Sequence, residues 1–365
     1  MDRTTSAGLA VRLAIVGAAL ALPARGQAPA PLKADNAKLE SRALAGTLAE
    51  TIDAWAKSAS RAQWLAYAVP AAGQNRQVCC GDWQDGACGP CRLEGGERGS
   101  SINLRGDKVH LEGPQRLIVL LRAERGRIGR IRTVSEDCTV DAGGLEVAWL
   151  PAVNAAESVG YLARLLNARE LDDQGGERLS RSALSAIAMT GDAAADQAIA
   201  SFTAPDKPED LRKKAAFWAG EARGAAGLEL LKRLARHDSS PEVRAQVTFA
   251  LSVSRETGAI DEMIRMAHED GSSHVRGQAL FWLAQKAGKK AAGTITGAID
   301  NDPDTEVKKK AVFALSQMPK DEGVPRLIEV AQSNRNAEVR KQAMFWLGQS
   351  NDPRALEFFE RVLSK

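Results

Sequence analysis

The C-terminal half of the chain repeats with a period of 32 residues, and this period constrains the fold more than any other feature. Residues 174–365 number 192, which is six times 32, and the repeat contains no insertion. Self-similarity at a fixed period of this length is typical of an array of small structural units. The corresponding segments start at Leu179, Leu211, Val243, Val275, Val307 and Val339, and the first of them diverges most because it lacks a phenylalanine that the others share.

Each unit is predicted to contain two helices. The first has the i, i+4, i+7, i+8 spacing of an apolar helix face, as in Val243, Val247, Ala250 and Leu251. The second also recurs with apolar residues on one side, as in Leu228, Leu231 and Leu234. A single helix pair cannot bury two such faces, whereas stacked pairs can. The sequence therefore predicts an α-solenoid of six helical hairpins over residues 174–365.

An acidic or amide residue and a basic residue recur six positions apart in successive units. The pairs are Asp206/Arg212, Asp238/Arg244, Asp270/Arg276, Asp302/Lys308 and Asn334/Arg340. On these residues the array resembles HEAT repeats, of the short kind found in bacterial, phycobilisome-lyase-like proteins. The resemblance implies that the acidic residue lies in the turn before the first helix, that the basic residue lies near the helix start, and that together they link adjacent units in a ladder. It also implies that the second helices line a concave face.

Position eight of the first helix alternates between a large and a small residue: Trp218, Ala250, Trp282, Ala314 and Trp346. Large beside small along a stack predicts that each tryptophan is buried and fills the space left by a neighbouring alanine. The working unit would then be a pair of repeats. On this interpretation, Trp282→Ala leaves a cavity and costs about 3–5 kcal/mol.

A stripe of exposed positions on the second helices is the candidate binding surface. Its charges are mixed in sign, which suits a protein or peptide partner better than a polyanion. The net charge of +3, from 49 basic and 46 acidic residues, is likewise too small to indicate nucleic acid. The candidate residues are Glu229, Arg233, Arg236, Asp261, Arg265, His268, Glu329 and Arg361.

The N-terminus has the pattern of a secretory signal peptide over residues 1–26. Arg3 and Arg12 precede the uncharged apolar run Leu13–Leu22, and small residues follow before Gln27. Ten apolar residues are too few to span a bilayer, which needs about 20, and no later stretch is apolar enough. We therefore expect an exported protein, in a bacterial periplasm or outside the cell, with a mobile linker over 27–38.

Residues 39–170 are predicted to form a compact α+β module. Helical spacing over Leu39–Val69 indicates one or two helices. Short apolar segments around Val109, Leu117–Leu121, Ile128–Val134 and Leu145–Trp149 indicate a small antiparallel sheet packed on that helix. Asn154 followed by Glu157 predicts the start of a further helix.

All five cysteines lie in this module, at Cys79, Cys80, Cys88, Cys91 and Cys138. Structural disulfides are favoured by export, with at least one thiol left over because five is odd. Zinc binding by four thiolates is a second interpretation. The third is redox chemistry, because Cys88-Gly-Pro-Cys91 resembles the thioredoxin tetrapeptide, although the flanking residues do not form the expected strand and helix.

No catalytic residue, metal site or cofactor is assigned from the sequence. Nucleophile-elbow, P-loop, dinucleotide-binding and zinc-protease motifs are absent from it. The predicted function is that of an exported, non-enzymatic scaffold that binds a protein or peptide partner through the solenoid. The alternative is an enzyme or a redox or metal module that uses the Cys88–Cys91 pair.

Overall fold

The computed structural model describes residues 32–73, 77–79, 82–84, 91–94, 115–166 and 173–364. The predicted signal peptide, Cys80 and Cys88 lie outside the described residues, as does the strand predicted around Val109. In the described part of the chain, a module built on β-sheets is followed by an array of helices. This confirms the helical-repeat fold and the presence of an N-terminal α+β module.

A five-stranded sheet with the order β2-β10-β3-β7-β8 forms the centre of the module. The prediction of an antiparallel sheet is wrong in part, because β10 pairs in parallel with both β2 and β3. Parallel strands of one sheet need a crossover connection, and α1 provides it between β2 and β3, which lie on either side of β10. The strands are Lys38–Ser41 (β2), Gln63–Pro70 (β3), Arg116–Glu124 (β7), Arg127–Ser135 (β8) and Glu146–Leu150 (β10), and the helix α1 is Leu48–Ser58.

The helix predicted through residue 69 ends at Ser58, and the remainder is strand β3. Trp64 and Tyr67 lie in this strand and are both fully buried. The two residues belong to different hydrophobic cores, one on each side of the sheet. A central strand that is buried on both faces has no polar alternation, so its apolar pattern resembles that of a helix.

The second core contains Cys91, Cys138 and Trp64 and is covered by a small three-stranded sheet, β1-β9-β6. Its strands are Ala34–Asp35 (β1), Cys91–Arg92 (β6) and Val140–Asp141 (β9), and a hairpin joins Gln77–Cys79 (β4) to Asp82–Gln84 (β5). Because β1 and β2 start within the stretch predicted as a linker, the ordered module begins earlier than residue 39.

Helix α2, Ala155–Leu165, starts at the predicted residue: the Asn154 side chain accepts a hydrogen bond from the Glu157 amide. The Glu157 side chain instead accepts a hydrogen bond from the Leu48 amide at the start of α1. The helices of the array then follow in pairs. They are Asp173–Met189 (α3), Ala193–Phe202 (α4), Glu209–Ala222 (α5), Gly224–His237 (α6), Pro241–Val253 (α7), Gly258–Glu269 (α8), Ser273–Ala287 (α9), Lys289–Asn301 (α10), Thr305–Ser316 (α11), Lys320–Ser333 (α12), Ala337–Gln349 (α13) and Pro353–Leu363 (α14).

The module and the array share one hydrophobic core. It runs without a break from Leu48 in α1 to Phe358 in α14. At the junction the Gly191 amide donates to the Pro70 carbonyl at 2.7 Å, and the Ala72 amide donates to the Met189 carbonyl at 2.8 Å. Helix α3 also packs on β8. The first helical pair therefore lies against the sheet, which explains why its sequence diverges from the later units.

The predicted ladder between units is confirmed for Arg212, Arg244 and Arg276. Arg244 binds both carboxylate oxygens of Asp270 at 2.8 and 3.0 Å, and Arg276 binds Asp302 with the same distances. Each arginine thus reaches the acidic residue of the next unit, 26 positions on. Its remaining nitrogen donates to the carbonyl six residues earlier in its own turn, as Arg276 does to Asp270 at 2.9 Å. The ladder therefore fixes each turn and joins it to its neighbour.

The alternating tryptophans are only half-buried, so the prediction of burial is wrong, although Ala250 and Ala314 are fully buried. Each tryptophan side chain instead packs against one or two phenylalanines of the first helices. Trp282 lies 4.7 Å from Phe249 of the preceding unit and 4.9 Å from Phe281 beside it, between ring centroids. The pattern repeats every 64 residues because Phe313, Phe345 and Trp346 have the same arrangement, which agrees with a working unit of two repeats.

Candidate functional site

The second-helix surface is the exposed side of α6, α8, α10, α12 and α14. Every residue predicted for the binding stripe lies on one of these helices, and all except the half-buried Arg265 are exposed. They fall on α6 (Glu229, Arg233, Arg236), α8 (Asp261, Arg265, His268), α12 (Glu329) and α14 (Arg361).

Two of the predicted residues are joined through a buried carboxylate that the sequence did not single out. Glu262 is 4% exposed and accepts a hydrogen bond from Arg236 of the preceding second helix at 2.9 Å. Arg265, one turn further along α8, donates to Glu262 at 2.8 Å and also contacts Glu269 at 3.4 Å. This network joins α6 to α8, so Arg236 and Arg265 stabilise the packing of the two helices.

Burial by itself would raise the pKa of Glu262. The hydrogen bonds from Arg265 and Arg236 outweigh it and hold the pKa below the ordinary value of 4.5. Glu262 is therefore ionised at neutral pH, and its charge is balanced by two guanidinium groups.

Other predicted residues carry no ion pair with any described residue. Arg233, Asp261 and His268 are exposed on α6 and α8, and Arg361 is exposed on α14. Their side chains are free to contact a partner without cost to the fold. These positions, and not Arg236 or Arg265, are suited to testing the surface by mutation.

A polar cleft of about 490 Å³ opens beside α12, with Glu329 in its wall. The ladder changes here, since Lys308 and Asn334 stand where earlier units have arginine and aspartate. Lys308 donates to the carbonyl of Asp300 at 2.7 Å, and it forms no ion pair with a carboxylate in the described part of the chain. Charges of both signs line the cleft: Asp300, Lys308, Arg326, Glu329 and Arg335.

The two rows of helices are packed differently. Successive first helices lie directly against one another, while successive second helices are further apart. In a curved array the row with the closer spacing lies on the inner side. The assignment of the second helices to the concave face stays a prediction, and this packing favours the first helices for that position.

Cys91 and Cys138 are both buried, at 0% and 1% exposure, and neither is a free thiol. The Cys138 sulfur lies 3.5 Å from the carbonyl oxygen of Val78. A redox role for the Cys88–Cys91 pair would require Cys91 to become accessible, because thiol–disulfide exchange needs attack on an exposed sulfur. The pairing of the five cysteines stays a prediction.

Among the residues that the structure describes, no group of three or more His, Cys, Asp and Glu side chains is arranged to hold a metal ion. In the same residues, no helix combines the length and the apolar character needed to cross a membrane.

A family model described as HEAT repeats matches residues 195–284 and 291–365. No curated protein matches the chain. Human deoxyhypusine hydroxylase in complex with glycerol is 18% identical over 58% of this chain and 80% of its own, with a TM-score of 0.30.

Two other solved structures show a similar degree of likeness. The complex of CpcE and CpcF of phycocyanin lyase from Nostoc sp. PCC7120 is 22% identical over 42% of this chain and 99% of that chain, with a TM-score of 0.32. A Kap121p mutant is 13% identical over 52% of this chain and 25% of that chain, with a TM-score of 0.33. No function is transferred from similarity at this level. The two matched ranges, 195–284 and 291–365, carry HEAT repeats.

Proposed function

We propose that the protein is an exported, non-enzymatic scaffold that binds a protein or peptide partner through its helical array. The observation that carries the proposal is the second-helix surface, which exposes unpaired charges of both signs along an array that matches HEAT repeats. Such repeat arrays provide extended surfaces for binding. In this proposal helices α3–α14 act as six units of 32 residues, and the first unit also anchors the array to the module.

Export rests on the sequence of residues 1–26, which has the order of a secretory signal peptide. The expected result is a mature protein that begins near Gln27. N-terminal sequencing of the protein purified from a bacterial host, together with cell fractionation, tests this directly. An intact Met1 in all of the protein, with all of it in the cytoplasm, would refute export.

The binding surface is tested with the double variant Arg233→Glu/Arg361→Glu. Both side chains are exposed and hold no described partner, so their reversal should leave the fold intact. Capture of a partner from envelope extract by the wild-type protein should be strongly reduced by the double variant, and a melting curve should show unchanged stability.

The control is Arg178→Glu, a single charge reversal at an exposed site on α3, outside the second-helix surface, and it is compared with the single variants Arg233→Glu and Arg361→Glu as well as with the double variant. This control should capture the partner as the wild type does. If the double variant and the control behave alike, the second-helix surface is not the binding site.

A further inference from the structure

A continuous row of aromatic side chains runs along the first helices, on a different part of the molecule from the second-helix surface. Adjacent rings are in contact: Phe217 stacks on Phe249 at 5.8 Å, and Phe281 stacks on Phe313 at 5.9 Å. Trp282 contacts a ring of each of these two pairs and so connects them. We name as the aromatic row Phe217, Trp218, Phe249, Phe281, Trp282, Phe313, Phe345 and Trp346.

The aromatic row is not part of the closed core. Seven of its side chains are half-buried, and Phe345 is 54% exposed. A contiguous, partly exposed apolar surface is a candidate site of interaction. Aromatic rings also provide a large contact area at a low cost in conformational entropy.

In four consecutive units, the phenylalanine of the aromatic row has a hydrogen-bond donor beside it. Residues three apart on a helix are neighbours on its surface, and the residue three before each phenylalanine is glutamine or lysine. The pairs are Gln246/Phe249, Gln278/Phe281, Lys310/Phe313 and Gln342/Phe345. These four donor side chains are half-buried and make no hydrogen bond or ion pair with any described residue.

The other charges next to the row are already neutralised. Lys214 binds Asp210, Lys309 binds Glu306 at 2.9 Å, and Lys341 binds Glu338 at 3.0 Å. With so little excess positive charge, the surface does not fit a polyanion, whose binding depends on many unpaired cations. It fits a neutral ligand with an apolar face and free acceptors.

A proline-rich segment in the polyproline II conformation has these properties. Its rings form apolar ridges, its carbonyl groups have no internal partner, and it completes a turn every three residues, or ~9.3 Å. Packed helices are ~8–10 Å apart, so successive turns of the ligand would lie over successive first helices, with one donor at each turn. The rings of a stacked pair are closer together, at 5.8 and 5.9 Å, so each pair would pack against one apolar ridge of the ligand. We propose that the aromatic row binds a proline-rich segment of a partner protein, aligned across helices α7 to α13.

The test uses a labelled peptide of twelve prolines, with a Gly-Ser peptide of equal length, a cello-oligosaccharide and a twelve-nucleotide thymidine oligomer as competitors. Wild-type protein should bind the proline peptide saturably, and none of the three competitors should displace it. Failure to bind the proline peptide, or displacement by any of the three competitors, would overturn the proposal.

Two double variants address the two halves of the site. Gln246→Glu/Gln278→Glu keeps the shape of each side chain but replaces a donor with a negatively charged acceptor. Phe281→Leu/Phe313→Leu keeps apolar volume but removes two rings. Each should weaken binding at least about fivefold, while Phe359→Leu, the same change on the half-buried side of α14, should not.

Far-UV circular dichroism and melting curves identify variants that fail to fold, and the glutamine variants remain informative if the phenylalanine variants do so. Unchanged binding by a folded glutamine double variant would refute the proposed recognition. This inference goes beyond the charged surface and does not depend on it, since Arg233 and Arg361 are not part of the aromatic row.

Discussion

At the scale of single residues, the ladder arginines differ in what they hold. The Arg276 side chain is 10% exposed and binds both oxygens of Asp302. Arg340, at the same repeat position, donates only to the carbonyls of Asn334 and Arg335 among the described residues. Removing one partner of a buried ion pair leaves the other charge uncompensated. We expect Arg276→Ala to lower the free energy of unfolding by about 3 kcal/mol, and Arg340→Ala by about 1 kcal/mol. Equal losses in urea denaturation would show that the bridge between units contributes nothing.

Glu262 should make the stability of the protein depend on pH in a defined range. Its pKa is held below the ordinary value of 4.5 in the folded protein, so its ionised form stabilises the fold above that value. This contribution is lost as the pH falls through the lowered folded pKa. We expect Glu262→Gln to be less stable than wild type at pH 7, with the difference shrinking below about pH 4.5. A difference that stays constant from pH 7 to pH 3.5 would show that the ionisation of Glu262 is not involved.

The sequence shows the ladder but not the Glu262 network, and the reason is physical. Arg244 and Arg276 recur at a fixed period beside a recurring aspartate, so their role can be inferred from the pattern. Glu262 occurs in one unit only, and its partner Arg236 lies on another helix. That contact depends on the distance between α6 and α8, which the sequence period does not specify.

At the scale of elements, close packing of the first helices depends on glycine at one position. A Cβ added to Gly220 in α5 would collide with the backbone carbonyl oxygen of Ala250 in α7. We expect Gly220→Ala to push the two helices apart and to lower the free energy of unfolding by about 1–3 kcal/mol.

The matched control for this variant lies at the same repeat position in α13. A Cβ added to Gly348 meets nothing within 4 Å. Gly348→Ala should therefore stabilise the protein by up to about 1 kcal/mol, because alanine favours a helix more than glycine does. Equal effects at the two sites in thermal denaturation would contradict the close approach of α5 and α7.

Strand β3 shows where sequence patterns fail at this scale. The array helices expose one side to solvent, so their period of 3.6 residues is visible in the sequence. β3 has a hydrophobic core on each face, and seven of its eight residues are buried or half-buried. Its burial on both sides removes the alternation that identifies a strand. The half-burial of Trp282 is a related case. The sequence pattern predicts which face of the helix carries Trp282, but it does not predict how much of the side chain the neighbouring helix buries.

At the scale of the whole molecule, the shared core predicts that the module and the array unfold together. Contacts in a solenoid are mainly between neighbouring units. The unfolding of the sheet and of the last unit can therefore be coupled only through the first helical pair. That junction is reinforced by Arg223, which binds Asp196 at 2.7 Å and donates to the carbonyls of Ala188 and Thr190 at 3.0 and 2.6 Å. We expect one urea transition, with tryptophan fluorescence and far-UV circular dichroism giving coincident curves. Separate transitions in the wild-type protein would contradict a shared core.

A substitution at one residue should weaken the coupling between the unfolding of the module and that of the array. A Cβ on Gly191 would collide with the backbone carbonyl group of Ala71, at the point where the array meets the sheet. In a background with Trp218, Trp282 and Trp346 replaced by phenylalanine, the remaining tryptophans lie in the module, and Trp55, Trp64 and Trp149 among them are buried. Fluorescence then reports on the module, while the helical signal comes mostly from the array, so Gly191→Ala in this background should lower both midpoints and separate the two curves. Gly129→Ala is the control, since its Cβ would meet nothing within 4 Å in β8. If the curves of Gly191→Ala still coincide at the wild-type midpoint, the contact between Gly191 and Ala71 does not couple the two parts of the molecule.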